Sequence, residues 1–342
     1  MTIALVVLSS NIAFLGSPAS ATEHEEHSEF VESLQKVAPG LLEESTQNSA
    51  IETMETGSSS LTIVADDRKS ATGGAEGISM TLPDVAQIDS SMFGVEAFTD
   101  TSGNPGVIQE LASGFRVIRS ISDQGSPSSF EYRLDIPDDA HLEAVAEGFL
   151  IISSTGVHGF LLEPWAKDSL GVLQQTEYEL AKGVLYQRVE VTKNTLFPVV
   201  VDPNWTYSFT YATVSSPNTN WIKIHNCFDC YFPVSGAPQQ FPQPNQLLPL
   251  FERPNLFILL NMECRMGTVI LGTQDFSWSF RATANHVDGF GSRVSFALRY
   301  LNNAPKLIVS AFVVNDFLLG NELYKNQAGD NWQDFANNLN TK

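Results

Sequence analysis

A period-two alternation, cut at short intervals by turn residues, constrains this chain more than any other feature. Phe130, Tyr132, Leu134 and Ile136 fall on one face of an extended segment, with Glu131, Arg133 and Asp135 on the other. Side chains alternate across a strand, so the pattern fits a half-buried β-strand and no helix. Pro137-Asp138-Asp139 stops the run. Gly148 to Ser154 is a second run, and Gly156 turns it into Val157–Leu162, which predicts a hairpin. Tyr178–Leu180 and Val184–Val191, joined by Ala181-Lys182-Gly183, predict another. Phe197–Val201 adds a strand that ends at Asp202-Pro203. Residues 61–205 therefore read as an antiparallel β module built of successive hairpins.

Residues 206–220, with Ser215-Ser216-Pro217-Asn218, read as a linker. Block 221–342 then opens on Trp221-Ile222. Val294, Phe296, Leu298 and Tyr300 alternate with Arg293, Ser295, Ala297 and Arg299, which predicts a half-buried strand. Leu307–Val314 is an unbroken apolar run, expected at the centre of a sheet, and Leu256–Leu260 reads as a short core strand. Trp332, Phe335, Ala336 and Leu339 recur at helical spacing, and Asp330 with Gln333 forms a capping pair, so the chain is expected to end in an amphipathic helix. The expected fold class is mainly β: two β-rich domains, the second α+β through its C-terminal helix.

The N-terminal 60 residues look different. Residues 3–16 are apolar, and Ala19-Ser20-Ala21 supplies the small residues of a cleavage site before Thr22. This predicts a signal peptide over residues 1–21 and a secreted, extracellular protein, although no Lys or Arg precedes the apolar run. Such a run is too short to span a bilayer, and no transmembrane segment is expected in the mature chain. Residues 22–60 hold nine Glu and one Lys. Phe30, Leu34 and Val37 predict a short amphipathic helix there, within a leader read as solvated and partly disordered.

Charge excludes one class of partner. The net charge of the 342 residues is −20, whereas a duplex-binding protein needs a basic surface, so no nucleic acid is expected. The acidity belongs to the first 220 residues; residues 221–342 carry equal numbers of acidic and basic side chains. Three Cys cannot complete a four-thiolate zinc site, and neither a metal nor a cofactor is assigned.

Four motifs occur in order: Gly-Ile-Ser-Met-Thr-Leu-Pro (77–83), Tyr-Arg-Leu-Asp-Ile-Pro (132–137), Pro-Trp-Ala-Lys-Asp (164–168) and Phe-Pro-Val-Val-Val-Asp-Pro (197–203). Together they resemble a β-rich module of uncharacterised secreted proteins from Gram-positive, high-GC bacteria. The chain departs from that pattern at Phe197, where Tyr is usual, and at Leu170-Gly171-Val172, where the turn is more polar. Cys-Tyr-Phe-Pro-Val-Ser-Gly-Ala-Pro (230–238), His-Val-Asp-Gly-Phe-Gly-Ser (286–292), Val-Asn-Asp-Phe (314–317) and Phe-Ala-Asn-Asn-Leu (335–339) resemble a C-terminal domain of such proteins. The resemblance implies a secreted, non-catalytic module ahead of a variable domain, some of these toxin-like, and names no activity.

Three groups of residues invite chemistry. In an exported chain the cysteines are expected to pair, and Cys230 with Cys264 closes a loop of about 35 residues, worth roughly 3–4 kcal/mol. Cys227 is then left over, and His225, two residues away, shares its face if the segment is a strand. His286 and Asp288 sit on a glycine-rich loop; the pair suits general acid/base work or a metal with one more ligand, while Asp288-Gly289 by itself reads as a hairpin turn. Tyr231, Phe232 and Phe241, with prolines 233, 238, 242 and 244, suit either a binding surface or a rigid core loop. No complete catalytic set occurs, and whether the protein is an enzyme is left open. The expected function is a binding or interaction module for an extracellular protein or cell-surface polymer, with a secreted effector or toxin-like enzyme acting through residues 221–342 as the alternative.

Overall fold

The computed structural model describes residues 30–38, 51–55, 61–65, 79–88, 95–111, 114–255, 258–314 and 321–342. The expected signal peptide lies outside them. The fold is mainly β, with a C-terminal helix, as the alternation predicts.

The module consists of two antiparallel sheets. One has six strands, in the order Ile51–Glu55, Leu61–Ala65, Ser79–Leu82, Ser129–Leu134, Val184–Val189, Thr176–Ala181. The other has eleven and is centred on Gly114–Ile121, which pairs with Pro105–Leu111, Val199–Asp202 and Asn204–Thr206. Both expected hairpins form: Gly148–Ser153 pairs with Gly156–Leu162, and Thr176–Ala181 with Val184–Val189. Within this core Arg119 is buried. Its guanidinium takes both Asp84 oxygens at 2.8 Å and lies over the rings of Phe98, Phe130 and Tyr132.

The leader is less solvated than its composition implies. Residues 30–37 are helical, and Phe30, Val31, Leu34 and Val37 pack on Val95, Ala97, Val107, Ile118 and Val200 of the eleven-stranded sheet. The apolar stripe, widened by Val31, offers enough area to hold the helix on the sheet.

The expected linker is structured from end to end. Ser208–Ala212 is a strand of a third sheet, one residue beyond the module strand Asn204–Thr206. Pro217–Asn226 is a helix whose N-cap, Ser216, accepts a hydrogen bond from Thr219 N, with Pro217 in the first turn. The Ser-Pro pair is a helix start rather than a flexible joint. Because the stretch is helical, His225 and Cys227 do not share a strand face.

The third sheet has the order Ser208–Ala212, Ala304–Phe312, Arg293–Leu301, Phe276–Ala282, Cys264–Leu271, Leu247–Leu248. Ala304–Phe312 is internal, as its apolar run predicts. Ile258–Asn261 pairs instead with Phe251–Asn255 in a separate two-stranded ribbon. One face of the sheet presents Trp278, Phe280 and Phe296 to three helices: Pro217–Asn226, Phe228–Tyr231 and Asn321–Thr341. The last helix buries Trp332, Phe335, Ala336 and Leu339 as expected. It begins nine positions before the expected capping pair, so Asp330 lies within it.

The other face of this sheet is covered by the module. Leu111, Val145, Leu150, Ile152, Phe160 and Leu162 pack on Ala297, Leu301, Ile308 and Phe312. The alternates of the Arg293–Leu301 strand, read as solvent-facing, are therefore turned inward: Ser295, Ala297 and Arg299 are buried. The hairpin tip at Ala146-Glu147 inserts here. Ala146 N donates to Ser277 Oγ at 3.0 Å, and Ser295 Oγ donates to Ala146 O at 2.8 Å. The Glu147 carboxylate is buried and takes Arg281, Arg293, Thr268 and Ser279. Gly267 leaves the space for it: a Cβ there would meet Ser279 Oγ at 2.3 Å.

Candidate functional site

Cys264 opens the strand Cys264–Leu271 and lies across from Ala282. Beyond Ala282 the chain runs through residues 283–292 and returns as the strand Arg293–Leu301. The loop is tied down at several points: Thr283 N donates to Glu263 O, Val287 N to Asn261 O, and Ala282 N to Ser292 O. The Glu263 carboxylate takes Thr283 Oγ1 and Asn285 Nδ2, which hold it below the usual carboxylate range. Ser292 Oγ donates to Asp288 O and accepts from Val314 N. Gly289 and Gly291, both at positive φ, set the turn, and Phe290 between them is 75 % exposed.

This loop roofs a cavity of about 50 Å³ lined by His286, Asp288 and Cys264 together with Phe232, Phe280 and Trp332. Residues far apart in sequence meet here because the C-terminal helix lies over the end of the sheet. The lining is mainly apolar. The His286 side chain is only 6 % exposed, and burial pushes its pKa down to about 4, so the ring is neutral near pH 7. Asp288 N donates to His286 Nδ1 at 3.0 Å, which assigns the ring proton to Nε2. Burial, reinforced by the charges of Asp288 and Glu263, pushes the Cys264 thiol well above its ordinary value.

The chemistry follows from these contacts. A base oriented by a carboxylate needs a hydrogen bond between them, and here Asp288 Oδ2 stands 3.7 Å from Nδ1, which the backbone N–H already occupies. The pair is held as part of a turn. Cys264 is a protonated thiol, unsuited to nucleophilic attack. What the site offers is a small, mainly apolar space whose polar wall is His286, Asp288, Ser292 and Arg293.

The remaining expected residues lie elsewhere. The disulfide joins Cys227 to Cys230, with Cα atoms 5.3 Å apart, and Cys264 is the free cysteine; the expected Cys230–Cys264 bridge is not made. Cys264 faces the buried end of the sheet, while Cys230 is exposed on the short helix Phe228–Tyr231. His225 is stacked on Phe241 at 4.4 Å and leans on Trp221, outside the cavity lining. Phe232 and Phe241 are core residues, and Tyr231 is half-buried beneath Lys223 Nζ. The aromatic–proline segment is therefore packing, with Phe232 also forming cavity wall. Phe290 carried no distinguishing signal in the sequence beyond its two flanking glycines.

A depressed histidine pKa predicts a stability change of definite sign. The unfolded chain takes up a proton near pH 6.5 and the folded one only near 4, so stability falls as pH drops through that window, by about 3 kcal/mol. Asp202 acts in the opposite sense over much of the same window, since burial raises its pKa to about 6 despite Arg116. The His286 effect is thus read as a difference: wild type should lose about 3 kcal/mol relative to His286→Gln between pH 6.5 and 4. Parallel pH curves for the two proteins would contradict it.

No family model, curated protein or solved structure matches the chain.

Proposed function

We propose that the protein is a binding module that acts outside the cell and grips its partner through the His286 cavity. The observation that carries this reading is the combination at loop 283–292: an exposed Phe290 between cavity-lining Asp288 and Ser292, over a small, mainly apolar space with a neutral His286 in its wall. Exposed aromatics beside desolvated pockets are the usual anchors of recognition. The cavity suits a short aliphatic group bearing a hydrogen-bond acceptor, as the end of a larger polymer or protein side chain. Export is supported by the apolar run 3–16 with Ala19 and Ala21, and a Cys227–Cys230 disulfide fits an oxidising compartment.

With 2-butanone as the probe, the His286 imidazole resonance should shift saturably. Phe290→Ala should weaken binding of a captured surface polymer while leaving the butanone response in place. An unmoved His286 resonance would reject the cavity as the site. Retention inside a secreting bacterial host, with the N-terminus uncleaved, would reject the extracellular part.

A further inference from the structure

A second surface lies at the far edge of the eleven-stranded sheet. Leu173–Gln174 is its edge strand, paired with Trp165–Lys167. The turn before it is closed by Asp168, whose buried carboxylate accepts from Leu170 N and Val172 N. A neighbouring turn, Thr192 to Leu196, is closed by Thr195 Oγ1 accepting from Thr192 N. Ser169 N donates to Leu196 O at 3.1 Å, and Thr195 Oγ1 donates to Gln174 Oε1 at 2.9 Å, so the two turns are clasped together.

These clasped turns expose aliphatic side chains: Leu170 at 69 %, Val172 at 55 %, Leu173 at 69 % and Leu196 at 46 %. Four such residues on two bonded turns form a patch, which a water-facing surface has no use for. Lysines gather at its margin, beside the exposed Glu190. Lys167 pairs in register with Leu173, Lys193 is exposed in the second turn, and Lys36 adjoins Val37, whose carbonyl lies beside Gly171. The one acidic residue within either turn, Asp168, is buried. Trp165 is half-buried beside them, under Lys167 Nζ at 5.4 Å.

We propose that this edge docks the protein peripherally on an anionic lipid surface, with the Leu170–Leu173 turn and Leu196 entering the headgroup boundary and Lys36, Lys167 and Lys193 facing lipid phosphates. Rigid aliphatic tips supply apolar burial, and the lysines supply the attraction that a chain of net charge −20 otherwise lacks. Among the described residues no helix is long and apolar enough to cross a membrane.

Flotation of the full chain with vesicles tests this. Phosphatidylglycerol–phosphatidylcholine vesicles should carry the protein, and phosphatidylcholine alone should carry it weakly. Leu170→Ser with Leu173→Ser should lower partitioning at least about tenfold, with near-ultraviolet circular dichroism unchanged. Lys167→Gln with Lys193→Gln should lower it several-fold on anionic vesicles only, an effect that salt should reproduce in the wild type. Leu271→Ser, at an exposed leucine on the third sheet, should change nothing. Flotation indifferent to Leu170→Ser/Leu173→Ser, or absent altogether, would overturn the proposal. So would a wild-type dimer dissolved by those substitutions, which would assign the patch to a second copy of the chain.

Discussion

Glu147→Ala is expected to cost about 3 kcal/mol of folding stability. The side chain is buried, and its carboxylate takes Arg281 Nη2 at 2.8 Å, Ser279 Oγ at 2.9 Å, Thr268 Oγ1 at 3.0 Å and Arg293 Nη1 at 3.1 Å. Breaking a buried ion pair by removing one partner usually costs about 3–5 kcal/mol. The lower end applies here, because Arg281 and Arg293 are themselves partly exposed and can turn to water. Backbone strain separates this from a second variant. Glu147 has φ +70, which disfavours any residue with a Cβ, so Glu147→Gly should lose about 1 kcal/mol less than Glu147→Ala. The pH dependence has a fixed sign. Burial alone would raise the carboxyl pKa, but the bonds from Arg281 and Ser279 outweigh it and hold the group below the ordinary Glu value. Its contribution is then complete above the unfolded pKa, near 4.3, and is lost as pH falls through the folded one. Glu147→Gln should flatten that acid limb. Denaturant unfolding at pH 7 and pH 3.5 checks all three; a Glu147→Ala protein within 0.5 kcal/mol of wild type, at the scale of ordinary surface changes, would show that the interface holds without this clamp.

The strands were legible because burial on one face writes itself as alternation. Phe276, Trp278 and Phe280 alternate with Ser277, Ser279 and Arg281 as regularly as Phe130, Tyr132 and Leu134 alternate with their neighbours. What alternation does not carry is the identity of whatever covers the polar face. In the module strand Ser129–Leu134 that face holds exposed Arg133; in Phe276–Ala282 and Arg293–Leu301 it holds serines and arginines bonded to Glu147 and Ala146. Small hydroxyls and paired arginines satisfy an inserted turn as readily as water does, so composition alone cannot separate the two. The cysteine pairing was invisible for a related reason: it depends on Cys264 facing the sheet's buried end, a long-range fact. The 283–292 loop was visible as a turn, whereas its cavity required Phe232 and Trp332 to arrive from distant segments. The linker reading failed despite a local signal. Tyr207, Phe209 and Tyr211 alternate with Ser208 and Thr210, and Ser216-Pro217 starts a helix; the surrounding serines and asparagines obscured both.

That last correction predicts that residues 221–342 will not fold as an independent unit. Without Ser208–Ala212 the sheet loses the strand paired with Ala304–Phe312, from Ser208 opposite Ser310 to Ala212 opposite Lys306. Leu307, Ile308 and Val309 would then lie on an open apolar edge, a template for aggregation. The missing strand also holds the C-terminal helix. Tyr211 Oη donates to Gly329 O at 2.8 Å, Asn340 Nδ2 donates to Ala212 O at 3.1 Å, and Val214 N donates to Asn340 Oδ1 at 2.7 Å. Burial of Tyr207, Phe209 and Tyr211 is worth roughly 1.5–3 kcal/mol per side chain, a large part of the 5–15 kcal/mol that stabilises an ordinary domain. The sheet's opposite face, with Ala297, Leu301, Ile308 and Phe312, would be stripped of the module as well. The fragment should therefore be insoluble, or soluble without a cooperative transition, while the full chain gives sharp near-ultraviolet dichroism. Restoring residues 204–220 should recover the sheet's sixth strand and still leave a protein that self-associates through its bare face. A monomeric 221–342 fragment with a cooperative thermal transition would refute this and would make the two β units separable after all.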